Sequence, residues 1–316
     1  MPSQRVDVSI VTSLFKSASY LEEFHARCTK AASSLTASYE IVLVNDGSAD
    51  DSLRLALDIH KRDPRVRVID LSRNFGHHKA LMTGLARSRG DLVFLIDSDL
   101  EEDPGWLSRF RDELSATGAD VIYGVQKTRK GGWFERATGE LFFSVFNQAL
   151  THPIPANVVT ARLMTRRYVQ ALIAHRDREV FLAGLWVMTG FDQRPLTVMK
   201  ESRSASTYSP LRRLSVLVNA LTSFSNRPLI YIFELGVAVV LLSIAAALFL
   251  TYRRVTGTVG VPGWASIMVS IWFLGGLMIF CIGVIGIYLA KVFTETKDRP
   301  YTIVRAEYGP DTDAPP

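Results

Sequence analysis

Two apolar runs near the carboxyl end constrain this chain more than any other feature. Leu229 to Tyr252 is 24 residues long with one charge, Glu234, near its start; Trp264 to Ala290 is 27 residues long with none. A helix needs about 20 apolar residues to cross a hydrocarbon core of roughly 30 Å, so both runs qualify as transmembrane spans. A buried hairpin in a soluble core is the bland alternative, but such helices are usually much shorter, on the order of three to four turns. The runs also explain the composition. The 316 residues are 48% hydrophobic yet 21% charged, because the apolar residues are concentrated behind a mixed α/β globule that ends near residue 228.

Several classes fall away at once. The composition excludes a disordered chain and a collagen-like fibre. Only Cys28 and Cys281 are present, the second inside an apolar run, so no disulfide framework is expected. The first residues, MPSQRVDVSIVTS, hold no long apolar stretch, and no cleaved leader is expected.

Lysines and arginines near the spans set the orientation. Lys200, Arg203, Arg212, Arg213 and Arg227 precede the first; Lys291, Lys297, Arg299 and Arg305 follow the second; the connecting loop carries only Arg253 and Arg254. Both termini are therefore expected in the cytoplasm, with the globule, on a multi-pass protein of the inner (cytoplasmic) membrane. Glu234 reads as a carboxyl reaching headgroup water. Ser209 to Asn226 repeats Leu211, Leu214, Leu217, Val218, Leu221 and Phe224 at helical spacing beside Arg212 and Arg213, as in a helix lying in the interface. Trp133 to Leu150, carrying Arg136, is a second such candidate. The expected organisation is a cytoplasmic domain at 1–208, an interfacial helix at 209–228, spans at 229–252 and 264–290, and a cytoplasmic tail at 291–316.

The globule alternates strand and helix. Val6–Val11, Glu40–Val44, Val66–Asp70, Asp91–Ile96 and Val121–Tyr123 read as strands; Asp50–Lys61, His78–Arg87 and a segment from about Pro104 read as helices. This pattern implies a mostly parallel sheet covered on both faces. In such sheets ligands bind beyond the carboxyl ends of the strands. One such end is Asn45-Asp46-Gly47-Ser48, where Gly47 permits close backbone approach. Another runs from Leu95-Ile96 into Asp97-Ser98-Asp99-Leu100-Glu101-Glu102-Asp103-Pro104. Crowded carboxylates repel unless a cation offsets them, and hard divalent ions take oxygen ligands. A cation there would bridge a diphosphate and stabilise it as a leaving group. Glu101 to Asp103 also suit solvated acids at the start of the next helix. The glycine fingerprints of dinucleotide-binding and P-loop proteins are missing, and no zinc-like spacing accompanies His77-His78, which reads as turn chemistry or a neighbour of phosphate.

The order Asn45-Asp46-Gly47-Ser48, Ser72-Arg73-Asn74-Phe75-Gly76, Asp97-Ser98-Asp99-Leu100 resembles the inverting GT-A glycosyltransferases of family 2. With two carboxyl-terminal spans, Thr222 to Leu229 before them and Lys297-Asp298-Arg299-Pro300-Tyr301 after them, the chain is similar to the polyprenyl-phosphate branch. The resemblance implies a GT-A, Rossmann-like α/β domain with interfacial helices and two transmembrane helices. It implies transfer from a nucleotide sugar, UDP-sugars favoured, to polyprenyl phosphate, for cell-envelope glycan or O-antigen modification. Asp46 would contact the nucleobase, Asp97 would lie by ribose and diphosphate, and Asp99 would bind Mg²⁺ or Mn²⁺. Ser98 stands where alanine is usual and Glu101 where a glutamine reaches the donor. Arg129 and Arg136 would approach the acceptor phosphate.

The chain departs from that pattern in places. The first-strand Pro-x-Tyr-Asn-Glu reads Ser13-Leu14-Phe15-Lys16-Ser17, placing Ser13 and Phe15 at the donor without the acid. Gln126 replaces an arginine, and Gly-Asp-Phe-Arg-Leu reads Val159-Thr160-Ala161-Arg162-Leu163, so the carboxylate suggested as a base is lost. Ser206-Thr207-Tyr208 lacks the lysine of the donor-covering loop, a charge that Lys200 or Arg203 would supply. A phosphate monoester has a second pKa near ~6 and is already a dianionic nucleophile at neutral pH. Such a nucleophile needs positioning and charge screening rather than a base. Two other readings stand beside this one: transfer to a lipid-linked glycan, and a catalytically silent scaffold. The net charge of +5 clusters near the spans, favouring a phosphate-bearing membrane over nucleic acid as partner. Gly275, Gly276, Gly283 and Gly286 are compatible with a homo-oligomer through close helix packing.

Overall fold

The computed structural model describes residues 5–126, 155, 157–200, 227–256 and 263–310. They fall into two units: one built on a β-sheet, including residues 299–310, and one containing two long helices.

The sheet unit begins β1 (Val8–Leu14), α1 (Leu21–Ser33), β2 (Tyr39–Asn45), α2 (Ser52–Arg62), β3 (Val66–Leu71), α3 (His77–Arg87), β4 (Leu92–Leu95), α4 (Trp106–Thr117) and β5 (Val121–Gln126). It continues with β6 (Val158–Thr165), α5 (Arg166–Ala174), α6 (Leu182–Met188) and β7 (Gln193–Val198), and closes with β8 (Val304–Tyr308). Eight strands form one sheet in the order β7-β5-β6-β4-β1-β2-β3-β8. The pairs of β1 with β2 and β4, of β2 with β3 and of β5 with β7 are parallel; β6 runs antiparallel to β4 and β5. This is the α/β sheet expected from alternating strands and helices, parallel through β3-β2-β1-β4 as expected and antiparallel where β6 and β8 join it.

Every residue of β1, β2 and β3 is buried. A strand covered on both faces needs apolar or internally bonded side chains in succession, which is why these strands read as unbroken apolar runs. Helix α1 contributes Leu21, Phe24 and Cys28 to the same core, and Phe94 meets Phe110 edge-on at 5.9 Å. The glycine at position 47 has φ +59°, and a Cβ there would lie 2.4 Å from the backbone of Arg73 and Asn74. Its freedom serves the close backbone approach of the loop at Arg73 and Asn74.

The segment after the second apolar run is part of this sheet. β8 pairs antiparallel with the outer edge of β3, and Ser72 N–H donates to the carbonyl of Ile303 at 2.9 Å. Glu307 bridges Arg67 and Arg87, Arg305 lies 3.4 Å from Asp70, and the hydroxyls of Thr83 and Thr302 bond at 2.8 Å.

The second unit contains α7 (Arg227–Val255) and α8 (Trp264–Thr296), of 29 and 33 residues. At about 1.5 Å per residue each exceeds a hydrocarbon core, and no residue of their apolar windows is buried in the protein. Exposed Phe233, Leu242, Trp272 and Ile279 form surfaces that water disfavours and lipid accepts. The candidate interfacial segments at 209–226 and 133–150 lie outside the described residues.

Candidate active site

Polar groups converge where β1, β2 and β4 end side by side. At the end of β2, Asp46 is 1% exposed. Its Oδ1 accepts from the Phe75 amide at 2.7 Å and its Oδ2 from the Gly76 amide at 3.0 Å. Asp46 therefore clamps the loop that carries the chain into α3. Beside it, Asn45 donates from Nδ2 to Asp70 Oδ1 at 2.8 Å.

Beyond β4, Asp97 accepts from the Thr160 hydroxyl at Oδ2, 2.9 Å. Its Oδ1 is buried without a hydrogen-bond partner, although His77 Nε2 stands 3.3 Å away. Burial pushes the Asp97 carboxyl up, but the His77 contact and charge, with Lys200 and Thr160, outweigh it and hold it below the usual range. Asp99 engages Oδ1 with the Glu101 amide at 3.0 Å. Burial first, then the charges of Asp97 and Glu101, raise its carboxyl. Leu100 follows with φ +59° and is buried. This conformation costs a branched residue roughly 1–2 kcal/mol, and the turn leaves Leu100 in the core and Asp99 half-buried.

The three acids that follow divide. Asp103 behaves as a solvated cap, accepting from the Gly105 amide at 2.9 Å. Glu101 pairs with Lys200 Nζ at 3.2 Å. Glu102 is wholly buried, which corrects its reading as a solvated acid. It accepts from the amides of Thr160 at 2.9 Å and Asp97 at 3.4 Å, with Lys200 at 3.9 Å. Burial, then the charge of Asp97, push its carboxyl up to about 8. Burial favours neutral Lys200, but Glu102, Asp97, Asp99 and Glu101 outweigh it and raise its pKa above the ordinary range.

The first strand supplies the opposite wall. Ser98 donates to the Ser13 carbonyl at 3.0 Å and bonds the Ser17 hydroxyl at 3.0 Å. Ser13 Oγ lies 2.8 Å from His77 Nδ1. Phe15 projects at the strand end, 48% exposed, with Lys16 Nζ 5.7 Å from its ring. His77 thus spans from Ser13 to Asp97. Burial favours its neutral form, but Asp97, Asp46 and Asp99 prevail and raise its pKa.

Of the residues expected at the site, Ser13, Asp97, Ser98, Asp99, Glu101 and Lys200 are linked in one network. Asp46 joins it through the loop it clamps and Phe15 through the strand that carries it. Arg129, Arg136 and Arg203 lie outside the described residues, as does 206–208. Sequence reasoning undervalued His77 and missed the parts played by Thr160 and Glu102. The signal for His77 was its place at the start of α3 after a glycine. Thr160 is recognisable only once β6 is known to flank β4.

The carboxylates can be tested against a divalent cation. Asp97 Oδ1 is a buried oxygen that makes no hydrogen bond, 3.3 Å from His77 Nε2, while Asp99 commits Oδ1 to a backbone amide. Among the described residues no three His, Cys, Asp or Glu side chains form a metal cage. Two carboxylates that leave positions for substrate phosphates and water suit magnesium-like chemistry. The donor set fits.

Known proteins resemble this chain over most of its length. A Mycobacterium tuberculosis glycosyltransferase is 49% identical over 304 residues, covering 96% of this chain and 89% of that protein. A glycosyltransferase of Synechocystis sp. is 34% identical, covering 96% of each. The bactoprenol glucosyl transferase of Shigella phage SfX is 29% identical over 95% of this chain and 99% of its own. Residues 9–173, from β1 into α5, match the model of glycosyl transferase family 2. The chain belongs to that family.

Proposed function

We propose that this glycosyltransferase moves a sugar from a nucleotide sugar, UDP-sugars favoured, to polyprenyl phosphate at the cytoplasmic membrane face, with inversion. The observation that carries the reading is the Asp97–Asp99 turn, whose buried Asp97 Oδ1 makes no hydrogen bond and faces His77 at 3.3 Å, in a chain that also bears two membrane-length helices. The relative named for bactoprenol supports a lipid acceptor. Return of β8 to the sheet after α8 supports an even number of crossings, and the basic flanks favour the cytoplasmic side.

In this reading Phe15 offers an exposed ring to the base, and Ser13 and His77 border the diphosphate. Thr160 and His77 fix the rotamer of Asp97. Asp99, with Asp97 beside it, would hold Mg²⁺ or Mn²⁺, which when bound supplies Lewis-acid screening of the leaving diphosphate. Lys200 and Arg203 add positive charge over the donor, and Arg129 and Arg136 steer the acceptor phosphate. That phosphate attacks the anomeric carbon in line; the carbon–oxygen bond to the diphosphate breaks, and the nucleoside diphosphate carries the electron pair away. The nucleophile needs no proton removed.

The test offers a panel of labelled nucleotide sugars, with undecaprenyl phosphate, to the full chain in membranes. One sugar should become lipid-extractable as a phosphate-linked product. Label entering only longer lipid-linked glycans, or no lipid at all, would overturn the reading.

A further inference from the structure

The chain after α8 does more than close the sheet. Residues 297–303 lead from α8 into β8, which lies along the outer edge of β3. Its side chains act at two ends. At the amino end of β3, away from the site, Glu307 meets Arg67 and Arg87. At the carboxyl end Arg305 holds two groups: Nη2 donates to the Ser72 carbonyl at 2.6 Å, and Nη1 lies 3.4 Å from Asp70 Oδ2. Thr302 adds a hold on α3 through the buried Thr83 hydroxyl at 2.8 Å. The segment therefore fastens both elements that flank the loop at 72–76.

From Arg305 two paths reach the candidate site. A buried carboxylate needs both charge and hydrogen-bond partners, and Asp70, 3% exposed, has Arg305 at Oδ2 and Asn45 Nδ2 at Oδ1. Asn45 Oδ1 accepts the Ser48 amide at 3.3 Å, and the Ser48 hydroxyl accepts the Lys16 amide at 2.7 Å, next to Phe15. The second path passes through Ser72 into the loop whose Phe75 and Gly76 amides Asp46 holds, and that loop delivers His77 to Asp97. The Arg305 side chain is itself 59% exposed. An exposed pair adds little to global stability, so what Arg305 fixes is local.

We propose that β8 is a positioning element of the donor site, with Arg305 as its positioning residue, a role that rests on the donor-site reading above. Arg305 acts through Asp70, Asn45 and Ser72 rather than on the substrate. It braces the carboxyl ends of β2 and β3 so that Phe15 and His77 stand ready for the nucleotide sugar. A loop held by Asp46 on one side and Arg305 on the other has little freedom left to lose, which lowers the ordering cost of binding.

The test compares two substitutions on this strand in the detergent-solubilised full chain: Arg305→Gln at the site end and Glu307→Gln at the far end. Hydrogen exchange over residues 72–77 needs no nucleotide and reads the brace alone. Arg305→Gln, whose exposure lets the variant fold, should speed that exchange about tenfold, the scale of one charge-assisted hold. Glu307→Gln should leave it unchanged. UDP titrated with Mn²⁺ reads the consequence. Its dissociation constant should rise about three- to tenfold in Arg305→Gln and recover in Arg305→Lys, which restores the charge. Glu307→Gln should lower the melting temperature more than Arg305→Gln does, without moving the affinity. Unchanged exchange in Arg305→Gln would overturn the brace. Faster exchange with unchanged UDP affinity, or an equal loss of affinity in Glu307→Gln, would overturn its role at the donor site. A wild type that binds neither UDP nor GDP counts against the donor-site reading instead, and the exchange comparison then decides the brace.

Discussion

Two strand ends of this sheet carry aspartates that look alike in sequence, and the structure uses them differently. Asp46 follows β2 and spends both oxygens on the amides of Phe75 and Gly76. Asp97 and Asp99 follow β4; the first takes the Thr160 hydroxyl on one oxygen and faces His77 at 3.3 Å with the other, and the second commits one oxygen to a single amide. A carboxylate whose oxygens already accept backbone bonds holds a loop; one with an unused oxygen can take up a cation or a ligand. Placement at the carboxyl end of a parallel strand is thus a necessary clue, and the hydrogen-bond inventory separates the two jobs.

Substitutions should split along that line, and the largest effect is expected at Asp99. Asp99→Asn removes a charge and keeps the shape, so turnover should fall on the order of 10²–10³-fold or more, as when a group that stabilises developing charge is lost. Melting temperature should barely move, and the pair of measurements checks both halves. Asp46→Ala should reverse the balance by leaving two amides without their acceptor. At about 1–3 kcal/mol for each unsatisfied buried group, denaturant unfolding should show a loss of roughly 2–5 kcal/mol. An unchanged midpoint would break the distinction between the two strand ends.

Glu102 sharpens the comparison through pH. Its folded pKa of about 8 lies above the ordinary glutamate value, 4.5. Between those values the folded chain keeps a proton that the unfolded chain releases. Stability therefore falls as pH rises through that window, because the unfolded state binds fewer protons. Glu102→Gln should flatten the decline in melting temperature between about pH 5 and pH 8, since an amide has no proton to lose there. An identical slope in the variant would show that Glu102 is not the group responsible. The smallest effect is expected at Thr160→Val, which removes one hydroxyl donor from Asp97. Activity should drop by about tenfold or less, the scale of one hydrogen bond of roughly 0.5–1.5 kcal/mol, with stability nearly unchanged.

The central strands are legible in the sequence because burial on both faces leaves continuous apolar runs in β1, β2 and β3. The long apolar helices are legible for a different reason: each is apolar on every face over a membrane-length run. β8 is not. Its sequence, Val-Arg-Ala-Glu-Tyr, reads as a polar tail, and its place depends on pairing with β3 and on Glu307 meeting Arg67 and Arg87 more than 200 positions away. At the site, the Asp97–Asp99 pair stands out by the abruptness with which an apolar strand turns acidic. The fate of the next three acids does not, since Glu101, Glu102 and Asp103 are alike in composition. The turn at Leu100, with φ +59°, precedes their division between lysine, core and helix cap. Thr160 is hidden for a related reason: its role comes from β6 lying antiparallel beside β4.

Nucleotide binding tests the central claim most directly. UDP is titrated into the full chain with Mn²⁺ and with a chelator, for the wild type and for Asp99→Asn. If Asp97 and Asp99 form the cation-dependent half of the donor site, the wild type should bind UDP at least about tenfold more tightly with Mn²⁺, an effect of about 1.4 kcal/mol. Asp99→Asn should lose that gain while keeping the residual metal-free affinity. Equal affinity with and without the metal, or a full metal response in Asp99→Asn, would contradict the account.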